Sequence, residues 1–184
     1  MKKYFLPIGK RQEEVLLPEE HVIYDIHGNQ STVCADLKAA ALEAIRNPIG
    51  TKPLRELVHA GETVAIVISD ITRLCGTSEF LPVIVGELNS VGVKDEDITV
   101  VVATGTHRGH THEEDITVCG EDMVKRLKIV QHDSRKQEDM VSLGQTSFGN
   151  DVVINKYVAN ADRVILTGAV TLHPFAGFGG GRKA

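Results

Sequence analysis

Three short stretches carry side chains able to move protons or hold anions: Ser69-Asp70-Ile71-Thr72-Arg73, Ala103-Thr104-Gly105-Thr106-His107-Arg108, and Leu172-His173 with the glycine-rich run that ends in Arg182-Lys183-Ala184. Histidine is the side chain that both accepts and donates protons at neutral pH, which makes His107 and His173 candidate acid/bases. Arg73, permanently charged and forked, suits a carboxylate or a phosphate, and the sequence leaves both open. Asp70 can orient a neighbouring histidine or arginine. The backbone amides of Asp70, Ile71, Thr72 and Arg73, if they open a helix, suit a phosphate. The run GFGGG at residues 177–181 lets an anion approach bare backbone amides. The lysine that follows can pair with phosphate or bond covalently to a cofactor.

Each feature also has a plainer reading. Asp70 and Thr72 can cap a helix, and Arg73 can be a surface arginine. His107, His110 and His112 match no common zinc spacing, and no cysteine or carboxylate completes a set. His110 and His112 read as a solvated loop residue and a helix-start residue; His21, His27, His59 and His132 read as structural. The glycine run is not a Walker A loop, because Arg182 separates glycine from lysine and Ala184 stands where a hydroxyl would hold magnesium. Counted from Gly177, the last glycine of a GxGxxG pattern falls on Arg182.

Residues so far apart in sequence need elements to gather them. Residues 63–70, 97–105 and 162–170 are unbroken β-branched runs, as expected of strands buried on both faces. Between the first two, residues 78–92 place Leu81, Ile84, Leu88 and Val91 at helical spacing with Gly92 as a stop. Residues 111–114, Thr-His-Glu-Glu, form a capping box. KIVQHD (128–133) and DVVINKYV (151–158) add two strands. Residues 4–26 suggest two or three antiparallel strands, and the alanine-rich 35–46 a helix stopped by Asn47-Pro48. The expected fold class is therefore α/β: a Rossmann-like, mostly parallel sheet with flanking helices, preceded by a short antiparallel segment. In such sheets ligands bind outside the carboxyl ends of the strands, where all three stretches fall.

Composition narrows the classes. The chain has 184 residues, a formal net charge of −5 and interspersed charges, which argues against a nucleic-acid or anionic-membrane partner. Its 3 cysteines are scattered and form no CxxC, as expected in a reducing cytoplasm. No segment reads as a signal peptide or a membrane span.

Together, SDITR after one strand, ATGTHR after the next and HPFAGFGGGRK after a third resemble the amino-terminal domain of the nickel-pincer lactate racemase family. NPIG at residues 47–50 and THEE at 111–114 strengthen the resemblance, which spans most of the chain. It implies a racemase or epimerase of lactate or a related 2-hydroxy acid, an isomerase. The implied cofactor is a pyridinium mononucleotide whose two sulfur-containing arms grip nickel, one arm being bonded through a thioamide to Lys183. In that mechanism the α-carbon gives up a hydride while His107 or His173, one on each side, handles the hydroxyl proton. The chain departs from the family at Leu74, usually proline, and at Ile71, commonly polar; members act on hydroxy acids besides lactate. They also continue past the lysine to a nickel-ligating histidine and a second domain. Residues 1–184 are therefore expected to be a truncated amino-terminal catalytic domain, inactive and without cofactor by itself. Two rivals are a Rossmann-like binding module without racemase activity and a nucleotide-binding or metal-dependent hydrolytic domain.

Overall fold

The structure, a computed structural model, describes residues 1–27, 34–173 and 175–180. The chain divides into two compact units, residues 1–33 and 34–184.

The first unit is a hairpin of β1 (Lys2–Ile8) and β2 (Arg11–Leu17), paired antiparallel from Lys2↔Leu17 to Ile8↔Arg11. Its two-residue turn has Gly9 at φ +60°, the left-handed conformation that glycine adopts without a Cβ clash. Only two of the possible three strands form: residues 22–27, after a short turn at Glu19–His21, are not in strand.

In the second unit α1 (Leu37–Arg46) starts at Asp36, whose carboxylate accepts the Ala39 amide at 2.9 Å. After α2 (Leu54–Leu57) the chain alternates: β3 (Val64–Ser69), α3 (Thr77–Ser90), β4 (Ile98–Ala103), α4 (His112–Cys119), α5 (Glu121–Arg126) and β5 (Lys128–Gln131). A hairpin of β6 (Met140–Gln145) and β7 (Asp151–Asn155), then α6 (Lys156–Ala159), precede β8 (Arg163–Leu166) and the short pair β9 (Leu172–His173) and β10 (Gly177–Phe178). The capping box at the start of α4 is present in full, between Thr111 and Glu114.

One sheet has the order β5-β4-β3-β8, all parallel, flanked by helices, as the alternation requires. Two expectations are corrected. The 151–158 run does not join it: β7 pairs antiparallel with β6 as a separate hairpin, because the chain returns directly at 146–150 without a crossover. The 162–170 run yields a strand of only four residues at the sheet edge, where Val164 and Leu166 remain 44% and 41% exposed.

Strand alternation sorts the sheet into two faces. Val64, Ile66 and Ile68 of β3 and Ile98, Val100 and Val102 of β4 pack against Leu81, Val85 and Leu88 of α3 in the main core. Burying each such side chain contributes about 1.5–3 kcal/mol. The intervening Val67, Ser69, Val101 and Ala103 turn to the other face, where they line a cavity. One face of the sheet holds the fold together, and the other floors a site.

Candidate active site

The cavity has a volume of about 930 Å³. Its floor is apolar, with Val67, Val101 and Leu166 from the sheet and Val158 from α6. Its rim carries Asp70, Arg73, His107 and His173, so all three chemistry-bearing stretches reach one cavity.

Asp70 follows β3 and is 4% exposed. Its Oδ1 accepts the Thr72 amide at 2.8 Å and the Thr72 hydroxyl at 2.5 Å, while Oδ2 lies 2.7 Å from His107 Nδ1. Burial alone pushes the Asp70 carboxyl upward and is the largest influence. The hydrogen bonds from Thr72 and His107 together outweigh it and hold the group below the usual carboxylate range. A carboxylate only accepts, so the proton between the pair sits on His107 Nδ1 and Nε2 keeps its lone pair. The backbone fixes this pose: Thr104 donates its hydroxyl to the His132 carbonyl, and the His107 amide donates to the Thr104 carbonyl at 2.9 Å.

His173 is held in the opposite sense. Its Nδ1 accepts the backbone amides of Phe175 at 3.2 Å and Ala176 at 3.1 Å. An amide only donates, so Nδ1 bears the lone pair and the neutral ring carries its proton on Nε2. The loop that does this is tight. A Cβ at Gly180, which has φ +78°, would overlap the carbonyl of Ala169. At that position the close approach permitted by glycine is to the chain itself as well as to anything bound.

Arg73 lines the cavity and makes no side-chain hydrogen bond or ion pair with another described residue. Ile71 and Thr72 do not line it, and the amides expected to suit a phosphate have partners within the protein. The Ile71 amide donates to His110 Nε2 at 2.8 Å, the Thr72 amide to the Asp70 carboxylate, and the Arg73 amide to the Asp70 carbonyl at 2.9 Å. Two of these donors are satisfied by Asp70 within the turn and the third by His110 from outside it. Arg108, expected at the same rim, is instead clamped by both guanidinium nitrogens to Glu114, each at 2.7 Å. That ion pair, helped by the Thr111 amide, holds the Glu114 carboxyl down at about 2.

Sequence reasoning misplaced two histidines. His110 is not solvated: its side chain is 0% exposed. His132 lines the cavity, 3.3 Å from Asn155 Nδ2, and Asn155 lines it too. The strand-end rule contained the signal for both, since His132 directly follows β5 and Asn155 ends β7. The histidines at 107, 110 and 112 do not gather as a metal set, and no cluster of three potential metal ligands occurs among the described residues. Lys183, the expected attachment point, lies outside the described residues.

The cavity's size and its division into apolar floor and polar rim suit a flat ring with an anionic substituent together with a small acid. Among the described residues no helix is long and apolar enough to cross a membrane.

Comparison with known proteins agrees with this architecture. The chain is 42% identical over 181 residues to a lactate racemase from Lactiplantibacillus plantarum and 33% identical over the same length to one from Thermoanaerobacterium thermosaccharolyticum. Each match covers 97% of this chain and 42% of the relative, so the chain spans less than half the length of either. The structure of the T. thermosaccharolyticum lactate racemase apoprotein superposes with a TM-score of 0.84 at 32% identity, covering 99% of this chain and 42% of that one. A Thermotoga maritima protein shares the fold alone, with a TM-score of 0.57 at 18% identity over 77% of this chain and 34% of its own. Residues 8–184 match the family described as lactate racemase N-terminal domain, and the chain belongs to that family.

Proposed function

We propose that this chain is the amino-terminal catalytic part of an enzyme that racemises or epimerises lactate or a related 2-hydroxy acid. A second, carboxyl-terminal domain would complete the cleft. The observation that carries this reading is that two histidines line one cavity with opposite tautomers: in the neutral rings Nε2 of His107 bears a lone pair and Nε2 of His173 a proton.

Inverting a carbon that bears hydroxyl, carboxylate and hydrogen requires the hydrogen to leave from one face and return to the other. When bound, the nickel pincer mononucleotide supplies the acceptor and donor for that hydrogen as hydride. The cavity's dimensions fit it, and Lys183 is the proposed covalent anchor. The chain's own residues govern the proton and the charge. His107 Nε2 receives the hydroxyl proton as the α-carbon becomes planar, and Asp70 steadies the imidazolium that results. His173 Nε2–H donates a hydrogen bond to the substrate oxygen. For the other enantiomer His173 is the base, which requires its ring to release the Phe175 and Ala176 amides and shift its proton to Nδ1. Arg73 provides the fixed positive charge for an anion, the substrate carboxylate or the cofactor phosphate.

The test uses the full-length, cofactor-loaded protein. L-Lactate and then other 2-hydroxy acids are supplied and the opposite enantiomer is measured, with intact-mass analysis of the peptide containing Lys183. Racemisation together with an adduct at Lys183 supports the reading. No inversion of any 2-hydroxy acid by loaded protein refutes it and favours the binding-module alternative.

A further inference from the structure

His110 sits outside the cavity, yet its imidazole is where α4 and the end of β5 meet the turn that carries Asp70. Its Nε2 lies 2.8 Å from the Ile71 amide, in the turn after β3. Its Nδ1 lies 3.0 Å from Asp115 Oδ1 on α4. The same Asp115 oxygen accepts Gln131 Nε2–H at 2.7 Å, from the end of β5, and Gln131 Oε1 accepts the His110 amide at 3.3 Å. The ring of contacts is closed, and the imidazole at its centre is fully buried.

Hydrogen-bond roles in this ring are forced. A backbone amide only donates, so Nε2 must accept, and Nδ1 then carries the proton and donates to the carboxylate. Both nitrogens are committed, and neither is available to substrate. The amide that His110 holds belongs to the residue directly after Asp70. Asp70 in turn sets the proton on His107 Nδ1.

We propose that His110 is a positioning residue: by accepting the Ile71 amide it holds the turn that aims Asp70 at His107, and so keeps His107 Nε2 free as the base. This rests on the functional reading above. The surrounding polar network is complete, with no buried side-chain polar atom lacking a partner among the described residues. Removing the one acceptor leaves a buried amide unpaired, and the turn must move to find another partner.

The test compares two variants of the full-length enzyme. His110→Gln keeps a strong acceptor near the place of Nε2; His110→Met has similar length and only a weak thioether acceptor. With kcat and KM measured for racemisation, His110→Met is expected to lose about 10–10²-fold in kcat, the scale of a small misplacement of a catalytic group. KM should change little, because Arg73 and the cavity floor are untouched, and His110→Gln should recover most of the loss. Hydrogen exchange of the Ile71 amide and the Asp70–His107 separation in crystals of the apoprotein are read alongside. Both should be near wild type in His110→Gln and disturbed in His110→Met. If His110→Met does not fold, His110→Asn, which reaches only the Nδ1 position, replaces it in the same contrast. Equal kcat in both variants and wild type, or equal losses in both, would overturn the proposal. The amide and distance measurements do not require turnover. A disturbed pair in a protein that never racemises would thus sink the functional reading and leave the positioning claim standing.

Discussion

The surroundings of the two cavity histidines are built by different means. His107 is oriented by a buried carboxylate, which is itself held by Thr72 and flanked by the His110 network. His173 is oriented by two amides of its own loop, and its neighbours Leu172 and Phe175 are 84% and 96% exposed. One residue is set by packed side chains from three elements, the other by a local turn. Under the proposed function, the first arrangement fixes a base and the second holds a donor that a modest loop movement can convert. A reaction that must run from either enantiomer needs that asymmetry to be reversible, and the loop is where reversal costs least.

The largest expected effects come from deleting either histidine. In the full-length loaded enzyme, His107→Ala and His173→Ala should each lower kcat/KM by about 10²–10⁴-fold. The equilibrium constant of a racemisation is unity, so the loss must be equal in both directions. Single-turnover formation of the 2-oxo acid breaks that symmetry: each variant should fail with one enantiomer and keep the other. Both failing with the same enantiomer would collapse the comparison into a single base.

Next comes Asp70→Asn. Loss of a carboxylate that fixes a histidine tautomer costs up to about 10⁴-fold in kcat in the best-studied triads, and here about 10²-fold or more is expected. The loss should appear in the His107-dependent half-reaction alone, measured by the same single-turnover assay. The depressed Asp70 pKa gives this a pH counterpart. The pairing is intact above the ordinary aspartate range and is lost as pH falls through the lower folded value, so the Asp70 carboxylate, followed by ¹³C NMR, should stay ionised below that range.

Gly180→Ala sharpens the other side. An alanine at φ +78° costs about 1–2 kcal/mol before its overlap with Ala169 is added. If the loop yields, a roughly tenfold fall in the His173-dependent half-reaction follows, with faster proteolysis within residues 168–180. An unchanged rate would mean that the loop does not set His173.

The smallest effect is on stability. Glu114, held down at about 2 by Arg108, has a folded pKa below its ordinary 4.5. Its contribution is therefore fully present above pH 4.5 and is lost as pH falls toward 2. The pair is exposed and screened, so Arg108→Ala should shift the urea midpoint slightly near neutrality and not at all at the acid end. An equal shift at all pH values would assign the loss to packing.

The sheet was legible in the sequence because β3 and β4 are buried on both sides, and that requirement writes unbroken β-branched runs. The strand-end rule then gathers Asp70, Arg73, His107 and His173, which line one cavity. Residues 151–158 misled because a strand's apolar pattern reports burial but not which strand it pairs with. The edge strand β8 misled because its run continues into loop. The partner of the Ile71 amide was not legible, because it is His110, 39 residues away. No spacing rule shows that partner. His110 itself looked solvated because a polar side chain buried by three separate elements leaves no periodicity.

The central claim is that the two histidines of one cavity are held in opposite tautomers, and side-chain ¹⁵N NMR of the full-length apoprotein, labelled at histidine, tests it most directly. The account predicts that neutral His107 carries its proton on Nδ1 and neutral His173 on Nε2, with assignments made by His107→Gln and His173→Gln. The same tautomer at both positions would contradict it.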